Sequence, residues 1–156
     1  MAEGKDILNF KVKFSPMVEK NNNSDLLKNI VSYIDKNKCC NKINCRHPPK
    51  QSDGRLHKAF PFLEESIKKE LNLNIEKMWC FYAQKNQKVK ATWHSHSTKV
   101  SAVLYLTDSN LCTIFSQCAI NLKKNTWLVF DGKEMHTTQE GISSSDRLLI
   151  VVDLFK

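Results

Sequence analysis

Ile75-Glu76-Lys77-Met78-Trp79-Cys80-Phe81-Tyr82-Ala83 opens a series of short β-type segments that fills the chain from residue 75 onward. Further segments of this kind lie at 89–94, 100–106, 112–115, 118–122, 127–130, 134–138 and 146–155. Turn chemistry separates them, as in Leu106-Thr107-Asp108-Ser109-Asn110 and Asp131-Gly132, so the spacing predicts about eight strands. Working back towards the N-terminus, Phe10-Lys11-Val12-Lys13-Phe14 alternates with a period of two and stops before Pro16, which predicts an edge strand. Asn21 to Asp25 reads as a turn that caps a helix. Leu26, Leu27, Ile30, Val31 and Ile34 then repeat at helical spacing, predicting an amphipathic helix from Asp25 to Lys36. Lys38 to Gly54 is polar, contains Pro48 and Pro49, and reads as a long loop. Leu63, Ile67 and Leu71 mark the buried face of a second helix over 62–71. Helices followed by a run of short strands predict an α+β, mainly β architecture in which two N-terminal helices buttress a β-sandwich or barrel.

Length and composition bound the function. A chain of 156 residues suits a single domain over 1–156, with residues 1–74 packing on a β core formed by 75–156. Hydrophobic residues make up 41% and charged residues 26%, the balance of a soluble globular protein, and no apolar run approaches the ~20 residues that cross a bilayer. Met1 to Phe14 lacks the apolar core and cleavage site of a secretory signal, so the expected location is intracellular, in the cytoplasm. Six cysteines are then expected as thiols rather than disulfides. The formal charge of +8 is spread along the chain, which favours a solvated basic surface over a nucleic-acid site.

Three of the five histidines fall in the β region: His94 and His96 in Trp93-His94-Ser95-His96, and His136 in Glu134-Met135-His136-Thr137. Residues i and i+2 of a strand share a side, so His94 and His96 point either into one cavity or both into solvent. With His136 from a distant strand they make a facial set that leaves metal positions open; imidazole suits iron, zinc, copper and nickel alike. Eleven residues past His136, Arg147 opens the apolar run Leu148 to Val152, where a guanidinium is expensive to bury without an anion. Asp108 and Asp131 are fallback carboxylates, but both sit in turn signals. The cluster Cys39, Cys40, Cys45 and His47 has soft zinc ligands without the paired spacing of a zinc motif, and a surface loop with free thiols is the simpler reading. His57 reads as a loop or packing histidine. Trp79, Trp93 and Trp127 read as packing residues, with Trp93 turned away from the cavity that His94 faces.

Taken together, Trp79, His94-Ser95-His96, the strand Ser101 to Leu106, Trp127 to Asp131 running into His136, and Arg147 ahead of Leu148 to Phe155 resemble the iron and 2-oxoglutarate-dependent oxygenases. The similarity is to compact members with a His-x-His first motif, and it covers about half the chain. It implies a double-stranded β-helix (jelly-roll, cupin-like), an Fe(II) cofactor, 2-oxoglutarate as cosubstrate, and a hydroxylase that couples its oxidative decarboxylation to oxidation of a substrate. It further implies that His94 and His136 bind iron and that Arg147 pairs with the far carboxylate of 2-oxoglutarate. Tyr105, or Tyr82 instead, would place a hydroxyl beside that carboxylate. Position 96 departs from the family, which usually has Asp or Glu there; His96 is a third ligand or stands just outside the metal. The substrate class stays open between a protein side chain, a small metabolite and nucleic acid, with the loop 38–54 as a substrate-facing element. Two other readings remain: a three-histidine cupin-type dioxygenase without 2-oxoglutarate, and a non-enzymatic β-sandwich binding module.

Overall fold

The computed structural model describes residues 10–39 and 50–156. Cys40, Cys45 and His47 of the candidate zinc cluster, and most of the loop 38–54, lie outside the described residues. The elements in chain order are β1 (Lys11–Phe14), α1 (Pro16–Asn21), α2 (Ser24–Lys36), α3 (Leu56–Ala59) and α4 (Pro61–Ser66), which runs on as a π-helical turn over Ile67–Leu71. The strands β2 (Asn74–Ala83), β3 (Lys88–Val89), β4 (Val100–Tyr105), β5 (Thr113–Phe115), β6 (Ala119–Ile120), β7 (Thr126–Asp131), β8 (His136–Thr138), β9 (Gly141–Ile142) and β10 (Arg147–Phe155) follow.

Five strands form the main sheet, in the order β1-β7-β4-β10-β2 and antiparallel throughout. The opposing wall is built from smaller pieces: β6-β5-β8, the pair β3-β9, and a bridge between His94 and His136. This is a double-stranded β-helix, and β10 shows why the sequence folds so. Leu148, Ile150, Val152 and Leu154 face outward into a core shared with Val18, Leu26, Ile30, Ile34, Leu56, Leu63 and Ile67 of the helices. Leu149 and Val151 face inward, with Val103, Tyr105, Phe115, Leu128 and Phe130. Burial on both faces makes β10 read as one apolar run rather than an alternation.

The long strands of the main sheet and the two main helices fall where the sequence patterns place them, whereas the expected strand 89–94 shrinks to Lys88–Val89 and an isolated bridge at His94, and β9 falls outside the expected segments. Three further differences concern the N-terminal half. Pro16 does not simply end β1: with Ser15 as N-cap, whose hydroxyl accepts from the Val18 N–H, it starts the short helix α1. The helix expected over 62–71 changes to π geometry after Ser66 and stops at Asn72, which takes the left-handed conformation (φ 57°). Residues 50–54 are not free loop. The Tyr82, Ser52 and Met78 amides bond to the carbonyls of Lys50, Cys80 and Gly54, so this segment covers the open edge of β2. No helix among the described residues is long and apolar enough to cross a membrane.

Candidate metal centre and anion pocket

His94 and His136 exchange both backbone hydrogen bonds, at 3.0 and 2.9 Å. They are therefore direct cross-strand neighbours with side chains on one face, and their rings lie 4.4 Å apart. His96 enters from the next turn of chain, held by its amide on the Gly132 carbonyl at 2.6 Å. Its ring stacks on that of His136 at 4.9 Å with 4° between planes. One nitrogen from each of the three histidines lies within 4.8 Å of the others.

Their outer nitrogens are all occupied. Nδ1 of His94 faces the Thr92 carbonyl (2.8 Å), Nδ1 of His136 the Glu134 carbonyl (2.9 Å), and Nδ1 of His96 the Asp153 carboxylate (2.7 Å). A carbonyl or carboxylate oxygen only accepts, so each Nδ1 donates and each Nε2 is left facing the cluster. Nε2 of His96 and Nε2 of His136 lie 3.1 Å apart, where two unprotonated nitrogens would repel and a shared proton or a metal ion would relieve the repulsion. Burial, with the neighbouring histidines adding to it, pushes His136 down to about 4, and the loss of water on the side of the His94 ring that packs against the other two lowers His94 as well, so both shifts favour the neutral, metal-ligating form. His96 and His136 are buried while His94 is exposed, which puts the cluster at the open end of the barrel. The donor set fits a divalent first-row metal held on one face.

Gly132 makes the cluster possible by its size. Its φ is negative, but a β-carbon there would lie 2.2 Å from the Thr98 carbonyl oxygen and 2.8 Å from Ser101 Oγ. The turn signal at Asp131-Gly132 thus hides a close approach between the β7–β8 turn and the segment that carries His96. Gly132→Ala is expected to push these segments apart, costing about 1–3 kcal/mol of stability and weakening metal binding. Thermal unfolding and a metal titration of the variant check this.

Deeper in the barrel, Arg147 at the start of β10 is 0% exposed, and none of its three side-chain nitrogens has a hydrogen-bond partner among the described residues. Burial pushes its guanidinium down to about 10, opposed by the neighbouring Tyr105 and Cys112. Tyr105, two residues on across the sheet opposite Leu149, is also fully buried, with its hydroxyl 2.5 Å from Thr113 Oγ1. Strand β8 links the two ends: His136 pairs with Phe115 and Thr138 with Thr113, so the Tyr105–Thr113 contact lies two residues, ~7 Å, below the His136 level. A guanidinium without a hydrogen-bond partner among the described residues, beside a phenol and deeper than the three converging imidazoles, is a fit for a carboxylate.

Two sequence expectations, for Tyr82 and Trp93, need correction, and those for Trp127, Asp108, Asp131 and His57 hold. Tyr82 is opposite Leu148 and packs on the helix side of the sheet, near Asp146, so it cannot reach this pocket. Trp93 is not a packing residue; it is 49% exposed beside His94. Trp127 is buried in the helix-side core, whereas Trp79 stacks on His96 at 5.7 Å and so braces a candidate ligand. Asp108 and Asp131 accept backbone N–H groups of Lys124 and Lys133, as turn residues do, and take no part in the cluster. His57 is buried in α3, away from the site. The residue that the sequence reading missed is Asp153. Its signal was present: a carboxylate in Val151-Val152-Asp153-Leu154 raises the same question of burial as Arg147.

No protein-family model matches the sequence, and no curated protein matches it. Solved structures share its fold. EctD from S. alaskensis with bound Fe is 14% identical with a TM-score of 0.61, over 97% of this chain and 74% of that one. HygX from Streptomyces hygroscopicus, with nickel and 2-oxoglutarate bound, is 13% identical with a TM-score of 0.59, over 95% and 83%. The viral collagen prolyl hydroxylase from Paramecium Bursaria Chlorella virus-1, a 2-oxoglutarate complex, is 13% identical with a TM-score of 0.58, over 93% and 94%. The chain thus shares the fold class of these solved structures, the double-stranded β-helix expected from the sequence. Within that class, the resemblance read from the sequence to the oxygenases holds at the level of the fold.

Proposed function

We propose that the protein is an Fe(II)- and 2-oxoglutarate-dependent oxygenase and, within that class, a hydroxylase. The observation that carries this reading is Arg147, fully buried and without a hydrogen-bond partner among the described residues, behind three converging imidazole nitrogens. His94, His96 and His136 would hold the iron through Nε2. Arg147 would grip the far carboxylate of 2-oxoglutarate in a two-pronged hydrogen-bonded pair, with Tyr105 beside it. Phe115, Phe130 and Leu149 pack with Tyr105 in the inner apolar cluster, a setting that would keep water away from a bound cosubstrate. Iron and 2-oxoglutarate supply, when bound, the activation of dioxygen coupled to oxidative decarboxylation. The exposed side of His94, with Trp93 next to it, is where a substrate would approach.

His96 in place of a carboxylate favours a second reading, a three-histidine dioxygenase that needs no cosubstrate. Calorimetric titration of the metal-loaded protein with 2-oxoglutarate separates the two. Binding is expected for the wild type, and Arg147→Lys, which keeps the charge but loses the fork, should weaken it by ~2–5 kcal/mol with metal affinity nearly unchanged. Absence of 2-oxoglutarate binding, or equal binding by the variant, would overturn the assignment in favour of the three-histidine dioxygenase.

A further inference from the structure

We propose that Asp153 is a positioning residue that supplies, from just outside the metal's ligands, the carboxylate that a histidine at position 96 removes from among them. The inference rests on the iron-site reading above. Asp153 stands on the inward face of β10, 5% exposed, at the opposite end of the strand from Arg147. One oxygen, Oδ1, accepts both from His96 Nδ1 at 2.7 Å and from Ser101 Oγ at 3.1 Å. Ser101 Oγ is in turn 3.3 Å from Thr98 Oγ1, whose hydroxyl donates to the Val100 carbonyl at 3.0 Å. The carboxylate is therefore fixed by the segment 98–101 that leads out of the His96 turn, while the Trp79 ring stacks on the imidazole it holds.

Two consequences follow from this geometry. A carboxylate accepts and does not donate, so Asp153 holds a proton of His96 on Nδ1 and turns Nε2 into the cluster, 3.1 Å from Nε2 of His136. Three neutral imidazoles also leave a bound dication uncompensated, and among the described residues the only buried carboxylate that hydrogen-bonds to any of the three rings is this one. The negative charge is kept, one imidazole further from the metal. Among the three candidate ligands, only His96 has an ionic partner; His94 and His136 rest on backbone carbonyls. The residue that departs from the two-histidine, one-carboxylate pattern is thus the one that carries a carboxylate behind it.

The test is a chelator-competition titration with Mn(II), which needs neither oxygen nor substrate, on the wild type, Asp153→Asn, His96→Asp and the double variant His96→Asp/Asp153→Asn. Circular dichroism and thermal unfolding of each metal-free protein are recorded alongside. Asp153→Asn keeps the shape and one acceptor but loses the charge, and should lower affinity about 10–100-fold. His96→Asp alone sets two carboxylates side by side in a buried site, whereas the double variant moves the single charge inward. The double variant should therefore bind Mn(II) more tightly than Asp153→Asn, by about tenfold or more. A merely structural Asp153 cannot yield that rescue, because the double variant disturbs the fold more than the single one. Should Asp153→Asn fold poorly, Ser101→Ala, which removes one hydrogen bond to the carboxylate without touching charge, is expected to weaken Mn(II) less than tenfold. Wild-type affinity in Asp153→Asn, or a double variant no better than it, would overturn this inference alone. A wild type that binds no Mn(II) overturns the iron-site reading together with it.

Discussion

His94→Ala is expected to abolish saturable Fe(II) binding, where the wild type takes up one ion per chain. The imidazole is one of three converging donors, so its loss should exceed the roughly 10–100-fold that removing a residue behind a ligand costs. The side chain is exposed and belongs to none of the apolar cores, so the variant should keep its fold and unfolding temperature. Loss of metal is then loss of a ligand. His136→Ala should lose binding as well, with some stability, because its ring is buried between Phe115 and Phe130. Anaerobic equilibrium dialysis with iron analysis checks both. One ion per chain retained in each variant would mean that the site lies elsewhere.

Arg147→Met should make the metal-free protein more stable, the reverse of what truncating a buried side chain usually does. The guanidinium is fully buried with no hydrogen-bond partner among the described residues, and its fall to about 10 corresponds to about 3 kcal/mol spent on holding the charge there. The sign follows directly. A cation whose folded value is lowered destabilises the fold wherever it is charged, which includes neutral pH, and the penalty fades only as the pH rises through that lowered value. Methionine fills much of the same volume without charge. The expected rise in unfolding temperature is roughly 6–12 °C for a chain of this size. Adding 2-oxoglutarate to the metal-loaded proteins should raise the unfolding temperature of the wild type and leave that of the variant nearly unmoved, since a ligand stabilises only the state it binds. A metal-free variant less stable than the wild type would show that Arg147 serves the fold rather than an anion.

How much of this was legible in the sequence follows from the physics of each segment. The long strands of the main sheet were, because β2, β4, β7 and β10 carry enough apolar residues to be recognised however their faces are buried. The opposing wall was less so. Residues 89–94 read as one strand, yet only Lys88–Val89 pairs with β9 and His94 makes an isolated bridge, because the wall is stitched from short pieces whose partners are remote in sequence. The three histidines and Arg147 were legible as costs, polar groups in β context that need a partner. Tyr82 and Tyr105 were not distinguishable, since both sit on apolar strands and only the register with β10 sets Tyr105 opposite Leu149 on the inner face and Tyr82 opposite Leu148 on the outer. Trp93 was misjudged for a related reason: alternation puts it opposite His94, but among the described residues no layer covers that side of the wall. Asp153 was overlooked because a carboxylate six residues past an arginine on one strand gives no sign that the chain brings it under His96.

A crystal structure of the protein with Mn(II) and 2-oxoglutarate, with anomalous data collected for the metal, tests the central claim most directly. The account predicts one anomalous peak ~2.0–2.2 Å from Nε2 of His94, His96 and His136, and 2-oxoglutarate running from that metal into the barrel with its far carboxylate on the guanidinium of Arg147. Metal more than about 3 Å from these nitrogens, or an Arg147 that still faces no anion while the metal is bound, would contradict it.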